Sequence, residues 1–304
     1  MRELQGILKE IIEYKLYEVK RQKEIVALAK LQRKAEEKIC SGSVKQQAKY
    51  IKDWEENTNI EKQPTSVDES ISDAQSAGKS FYQALRKPGE VAIIAEVKRK
   101  SPSKGLLRAD FNPEEIINSY TEAGASALSI LTDEKFFGGS PEYLKLAAEI
   151  TPLPLLRKDF IIDEYQIYEA VVLGASAVLL IARVLQPETL KRFYTLVGQL
   201  GLDALVEVHG ENELALVLEA GVKIVGINNR NLETFQTDIN HTLRLREKIT
   251  APDVVVVSES GIKTYADILT LKSAEVDAVL VGESFMVRPD VGAGVRELRG
   301  DTSV

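Results

Sequence analysis

EAGASALSIL at residues 122–131, VLGASAVLLI at 172–181 and EAGVKIVGIN at 219–228 share one grammar. Each leaves the last turn of a helical pattern, passes a glycine and enters a short apolar run. Gly124, Gly174 and Gly221 stand where a helix closes in a left-handed residue, which glycine adopts without steric cost. Outward from these three, the same kind of run recurs at Val91–Val97, Ala127–Leu131, Leu153–Arg157, Ala177–Ile181, Ala204–Val208, Ile224–Ile227, Val254–Ser258 and Ala278–Val281. A loop and a helical pattern separate each run from the next, so the strands are parallel and buried on both faces. A doubly wound sheet stops at five or six strands. Eight βα units in about 200 residues is the count of a closed barrel, and an α/β fold of the (β/α)8 TIM-barrel type is predicted.

The rest of the chain is organised around that repeat. Residues 1–50 carry twelve Lys/Arg against seven Asp/Glu, although the 304-residue chain has a net charge of −7. Leu4, Leu8, Ile11, Ile12 and Leu16, then Val19, Ile25, Val26, Leu28 and Leu31, recur at helical spacing. This predicts one amphipathic helix or two, with a solvated basic face diluted by glutamates. Residues 56–79 are polar and read as a connection, and Phe81 to Leu85 as a short helix before Pro88-Gly89. The expected plan is a helical extension and connection over 1–80, a catalytic barrel over 81–295 and a tail over 296–304.

Composition removes several function classes. The acidic balance disfavours wholesale nucleic-acid binding. No apolar run reaches the length of a membrane span, and MRELQGILKEIIEYK has no signal-peptide core, so a cytoplasmic protein is expected. Cys40 is the only cysteine, which excludes an internal disulfide and a Cys-clustered zinc site. His209 and His241 are the only histidines, so no metal site is expected, and neither is assigned chemistry. Trp54 and Cys40 lie outside the barrel.

In a (β/α)8 barrel the chemistry sits where strands end and βα loops begin. Strand 1 ends in Glu96-Val97-Lys98, strand 2 leads to Thr132 and FFGGS, and strand 3 ends in Arg157-Lys158-Asp159. Strand 4 leads to Ala182-Arg183, strand 5 carries Glu207, and strand 6 ends in Asn228-Asn229-Arg230. Strand 7 ends in Glu259-Ser260-Gly261 and strand 8 in Gly282-Glu283-Ser284. Charge at buried strand ends is costly unless paired or used. Ser-Gly and Gly-Glu-Ser after strands 7 and 8 fit the phosphate site of this fold, where bare backbone N–H groups meet the anion.

Plainer readings stand beside these. Glu96 with Lys98 is also an ordinary strand ion pair, and Lys158 with Asp159 a rim salt bridge. Asn228-Asn229-Arg230 is also a plain turn; otherwise Arg230 holds a carboxylate or phosphate. Glu207, between Val206 and Val208, either pairs with a lysine or has a raised pKa suited to proton transfer. KRKSPSKGLLRAD, residues 98–110, is a basic surface loop or a lid over an anion.

IAEVKRKSPSKG, SILTDEKFFGGS, LLRKDFIIDEYQI, ALVEVHGENEL, GINNRNLETF, VVSESGI and VGESFM resemble, in order, the indole-3-glycerol phosphate synthase family. The resemblance runs over about residues 78–290; residues 41–77 match no motif of it. It implies a reaction without cofactor or metal: ring closure, decarboxylation and dehydration of a carboxyphenylamino-deoxyribulose phosphate. By that resemblance Lys158 is the general acid, Glu207 and Glu96 the carboxyl groups of dehydration, and Lys98 an anion-binding lysine that shares the acid work. Ser101 would meet the substrate carboxylate, Asn228 and Arg230 its hydroxyls and anionic ends, and Phe137 and Phe160 its aromatic ring. Ser260, Gly261, Gly282 and Glu283 would bind phosphate, Glu283 through its backbone N–H. The implied partner is a small phosphorylated substrate, with a monomer expected and a dimer the alternative. Phosphoribosylanthranilate isomerase and the tryptophan synthase α subunit share the phosphate loops but lack the Glu-x-Lys-x-x-Ser and Arg-Lys-Asp-Phe segments. A barrel reused for binding would carry a damaged set of catalytic residues, and here the set is intact.

Overall fold

The computed structural model describes residues 4–41, 80–231 and 234–301. Its centre is a closed barrel of eight parallel strands: β1 (Ala92–Val97), β2 (Ala127–Leu131), β3 (Leu155–Lys158), β4 (Ala177–Ile181), β5 (Asp203–Val208), β6 (Ile224–Asn228), β7 (Val255–Glu259) and β8 (Ala278–Val281). Each strand pairs with its sequence neighbours, and β8 closes on β1 with Ala92 opposite Ala278. The predicted fold class is the observed one. The predicted third strand, Leu153–Arg157, is displaced: Pro154 has no N–H to donate, and the strand starts two residues later, at Leu155, and ends on Lys158. Lys158 is the last residue of that strand.

Local chemistry explains where the outer helices start and stop. Asn112 accepts from the backbone N–H groups of Glu114 and Glu115 ahead of Pro113–Glu122. Asp163 with Gln166, and Thr264 with Asp267, form reciprocal capping boxes. Gly124, Gly174 and Gly221 have φ of +81°, +91° and +72°, as the repeat predicts.

The basic N-terminal segment forms two helices, α1 (Gly6–Ile25) and α2 (Leu28–Ser41). Their faces differ from the expectation. Leu16 and Ile25 are 45% and 77% exposed, while Ile11, Ile12, Lys15 and Val19 form the buried stripe of α1. The basic face is not simply solvated, because its lysines dock the helices. Lys23 Nζ lies 2.7 Å from Asp163, and Lys38 Nζ donates to the Val172 carbonyl at 2.9 Å. Lys15 is fully buried, and its Nζ lies 2.9 Å from Asp159, 3.0 Å from Asp133 and 3.1 Å from Glu18. Phe81–Leu85 forms the short helix predicted there, capped by Ser80. Trp54 and the connection at 56–79 lie outside the described residues.

Candidate active site

The C-terminal ends of the eight strands open into one cavity of about 340 Å³. Every residue singled out for chemistry or binding lines it, although the thirteen come from seven separate strand ends and loops. Lys158 occupies the middle. Its Nζ lies 3.8 Å from Glu96 Oε1, 3.9 Å from Glu207 Oε2 and 3.8 Å from Glu259 Oε2. Burial would strip the ammonium of its proton, but Glu259, Glu96 and Glu207 together hold its pKa above the ordinary lysine value. Lys98 pairs closely with Glu96 Oε2. Burial pushes the Glu96 carboxyl up, yet Lys98 and Lys158 bring it below the usual carboxylate range.

Glu259 is the carboxyl that sequence reasoning left without a role. It stands at the end of β7, where the Ser-Gly that follows draws attention to phosphate binding. Three glutamates around two lysines leave one negative charge in excess, and Glu259 is the least solvated acceptor of the missing proton. Burial, then the charge of Glu207, raises its pKa to about 8. Of the two readings of Glu207, the lysine partner is seen, with Lys158 Nζ 3.9 Å away, and a raised carboxyl stands at Glu259. The signal for Glu259 lay in its strand-end position, shared with Glu96 and Lys158.

Two glycines make room for this crowding. A Cβ on Gly226 would stand 2.1 Å from Glu259 Oε1, and one on Gly282 would stand 2.3 Å from Glu96 Oε2. Each carboxyl thus lies across the bare backbone of the neighbouring strand, closer than any side chain permits.

Asp159 points away from Lys158, so the rim salt bridge does not form. Its carboxyl instead pairs with Lys15 of α1 and with Arg157, whose Nη2 is 3.3 Å away. Arg157 also donates to the Gln166 carbonyl at 2.7 Å and to Glu169 at 2.6 Å. Burial raises the Asp159 carboxyl, but Lys15 and Arg157 bring it down to about 2. The Arg-Lys-Asp segment therefore splits its work: Lys158 faces the cavity and its two neighbours lock β3 to the outer shell.

On the opposite wall, Asn228-Asn229-Arg230 is more than a turn. Asn228 Nδ2 donates to Glu207 Oε1 at 3.3 Å. Asn229 is buried and donates to Ser258 Oγ and the Ser260 carbonyl, which fixes the loop after β7. Arg230 donates to Glu283 at 3.1 Å, so the Glu283 carboxylate is occupied. Ser260 and Gly261 have φ of +69° and +85°, a sharp turn that costs serine about 1 kcal/mol or more. Ser284 Oγ donates to the Ile262 carbonyl at 2.8 Å and ties the loops after β7 and β8 together.

The remaining wall is apolar. Phe137 and Phe160 pack with ring centroids 5.9 Å apart, and Leu131, Leu179 and Ile181 continue the surface. Ile7, Leu8 and Ile11 of α1 also line the cavity, a contribution missed in the sequence because nothing in a helical pattern says what it packs on. The loop at 98–110 forms a small hairpin between Lys100–Ser101 and Gly105–Leu106, and presents Ser101, Pro102, Ser103 and Lys104 to the cavity. His209, given no role above, lines it behind Glu207.

A closed eight-stranded barrel with its charged groups gathered at the C-terminal mouth defines a (β/α)8-barrel enzyme. The family model described as indole-3-glycerol phosphate synthase matches residues 43–298, further toward the N-terminus than the quoted motifs reach. The chain is 49% identical over 219 residues to the indole-3-glycerol phosphate synthase of Acetivibrio thermocellus, covering 72% of this chain and 84% of that protein. With its namesake from an Azoarcus species it shares 43% over 268 residues, covering 87% and 98%. A solved 3-hexulose-6-phosphate synthase superimposes with a TM-score of 0.57 at 16% identity, over 70% of this chain and all of that one, which speaks to the fold alone. The chain belongs to the indole-3-glycerol phosphate synthase family, carboxy-lyases of tryptophan biosynthesis that act on a phosphorylated small molecule.

Proposed function

We propose that the cavity converts 1-(2-carboxyphenylamino)-1-deoxy-D-ribulose 5-phosphate to indole-3-glycerol phosphate with Lys158 as general acid. The observation that carries this role is the Lys158 ammonium within 3.8–3.9 Å of three carboxyl groups at the centre of the cavity. Ring closure joins the carboxyl-bearing aromatic carbon to the ribulose carbonyl carbon, so negative charge develops on the carbonyl oxygen. An ammonium held charged by the carboxylates beside it donates to that oxygen. Carbon dioxide then leaves, and its bonding pair restores the ring. Loss of water needs one group to release a proton to the departing hydroxyl and another to accept one. Glu207 takes the accepting role, with Glu96 as the second carboxylate and Lys98 sharing the acid work. Glu259, protonated at neutral pH, adds a second donor to the cluster.

The walls suit the two ends of that substrate. Phe137 and Phe160 would pack the aromatic ring, beside Ser101 for its carboxylate. Asn228 and Arg230 would orient the ribulose hydroxyls and anionic groups. Ser260, Gly261, Gly282 and Glu283 would receive the phosphate through backbone N–H groups, a role for Glu283 favoured by the engagement of its carboxylate with Arg230. Among the described residues no group of three or more His, Cys, Asp or Glu is arranged to hold a metal ion, and the proposed steps use side chains alone. Lys158→Met and Glu207→Gln test the assignment: each is expected to lower kcat by a factor of about 10² or more, with KM changed far less. Turnover near the parent rate in either variant would refute that residue's role.

A further inference from the structure

A line of polar groups leads from the back of Glu207 out of the cavity. His209, two residues on, is buried, with Nε2 3.3 Å from Glu207 Oε1 and Nδ1 3.7 Å from Glu213 Oε2. Both ring nitrogens are buried and, among the described residues, neither has a hydrogen-bond partner, so the two carboxylates stand as the ring's charged neighbours. The His209 backbone N–H donates to Glu213 Oε2 at 2.6 Å, and Arg183 Nε donates to Glu213 Oε1 at 3.0 Å. Burial pushes the Glu213 carboxyl up, but the donors on His209 and Arg183 hold it at about 2, so it stays an ionised acceptor. The other titratable neighbour is His241, whose pKa burial and Arg244 lower. A neutral imidazole can donate to only one of two flanking carboxylates, whereas an imidazolium donates to both.

We propose that His209 is a positioning residue for Glu207, its ring held between Glu207 and Glu213 so that Nε2–H fixes the carboxylate that works in the cavity. The proposal rests on Glu207 as the proton acceptor of dehydration. It explains how that carboxylate is held on both sides. Oε2 faces Lys158, while Oε1 faces Asn228 Nδ2 and His209 Nε2. Without His209 the back of the carboxylate keeps only the amide of Asn228 and is free to turn toward Lys158. A protonated imidazole beside a carboxylate favours the ionised form, the form that accepts a proton.

The test is kinetic and spectroscopic. In His209→Leu, kcat should fall about tenfold, KM should stay within about twofold, and the acid limb of the kcat profile should move up by about one pH unit. His209→Gln keeps an N–H toward Glu207 but no charge, so it should recover most of the plateau kcat and retain the shifted limb. A parent-like rate and limb in His209→Leu would overturn the proposal, as would a Gln variant no better than the Leu variant. Should the Leu variant fail to fold, the limb shift in the Gln variant decides alone. The chain has two histidines, so His209→Gln also assigns the ring signals by NMR. Removing the carboxylate in Glu207→Gln should lower the pH midpoint of the His209 signal. An unmoved midpoint refutes the contact whatever the turnover. A lowered midpoint with full turnover in Glu207→Gln supports the contact and refutes the role of Glu207 as acceptor.

Discussion

Replacing Lys15 by methionine removes the cation on which α1 is seated while keeping most of its apolar stem. Nζ lies within 3.1 Å of three carboxylates, and the side chains of Asp133 and Asp159 are almost entirely shielded from solvent. Breaking one partner out of a buried pair costs about 3–5 kcal/mol, because the remaining charge is left uncompensated. An independent figure comes from Asp159. Its pKa falls from 3.8 to about 2 with Lys15 and Arg157 as partners, equivalent to about 2.4 kcal/mol at roughly 1.4 kcal/mol per unit. Arg157 and Thr132 remain in the variant, so only part of that is lost at Asp159, while Asp133 adds its own share. The expected loss is about 3 kcal/mol at neutral pH, or a Tm lower by about 5 °C for a chain of this size. The sign with pH is fixed. A carboxyl with a depressed folded pKa contributes stability above its unfolded value near 3.8, and that stability is lost as pH falls toward about 2. The deficit of Lys15→Met should therefore narrow over that window. Urea unfolding of Lys15→Met, Asp159→Asn and the double variant measures the coupling. A loss under about 1 kcal/mol, or additive single effects, would refute the view of Lys15 as a buried anchor.

Glu259→Gln should gain stability over the parent as pH rises. The parent carboxyl titrates near 8 when folded and near 4.5 when unfolded, so the parent loses up to about 1.4 kcal/mol per pH unit between those values. Melting curves at pH 5 and pH 8 check it, and a difference that does not grow between them would contradict the raised pKa. Gly226→Ala places a methyl 2.1 Å from Glu259 Oε1 and must displace that carboxyl. Its kcat should drop by about 10- to 100-fold in a steady-state assay, against the alternative that glycine there serves the strand alone.

Most of the barrel was legible because its signals are local. Left-handed glycines, capping residues and buried runs are short-range features, and eight repetitions remove the ambiguity each has alone. The charged mouth was legible for a related reason: in a closed parallel barrel, strand ends far apart in sequence converge, so listing them amounts to listing the site. What escaped depended on pairing. Glu259 was passed over because its raised pKa arises from burial and from the charges of Glu207 and Glu96, groups of other strands that outweigh Lys158. Lys15 looked like part of a solvated face because no local pattern shows that Asp133 and Asp159 lie beneath it. Asp159, read beside Lys158, turns the other way because Lys15 and Arg157, one of them from a distant helix, hold its carboxyl.

The most direct measurement is turnover of 1-(2-carboxyphenylamino)-1-deoxy-D-ribulose 5-phosphate by the purified, EDTA-treated chain, followed by indole absorbance and fluorescence with no cofactor added. The expected result is indole-3-glycerol phosphate formed catalytically, with one carbon dioxide released per indole. Absence of indole formation, or formation that depends on restoring a metal, would contradict a cavity that runs the reaction on Lys158 and its carboxyl partners.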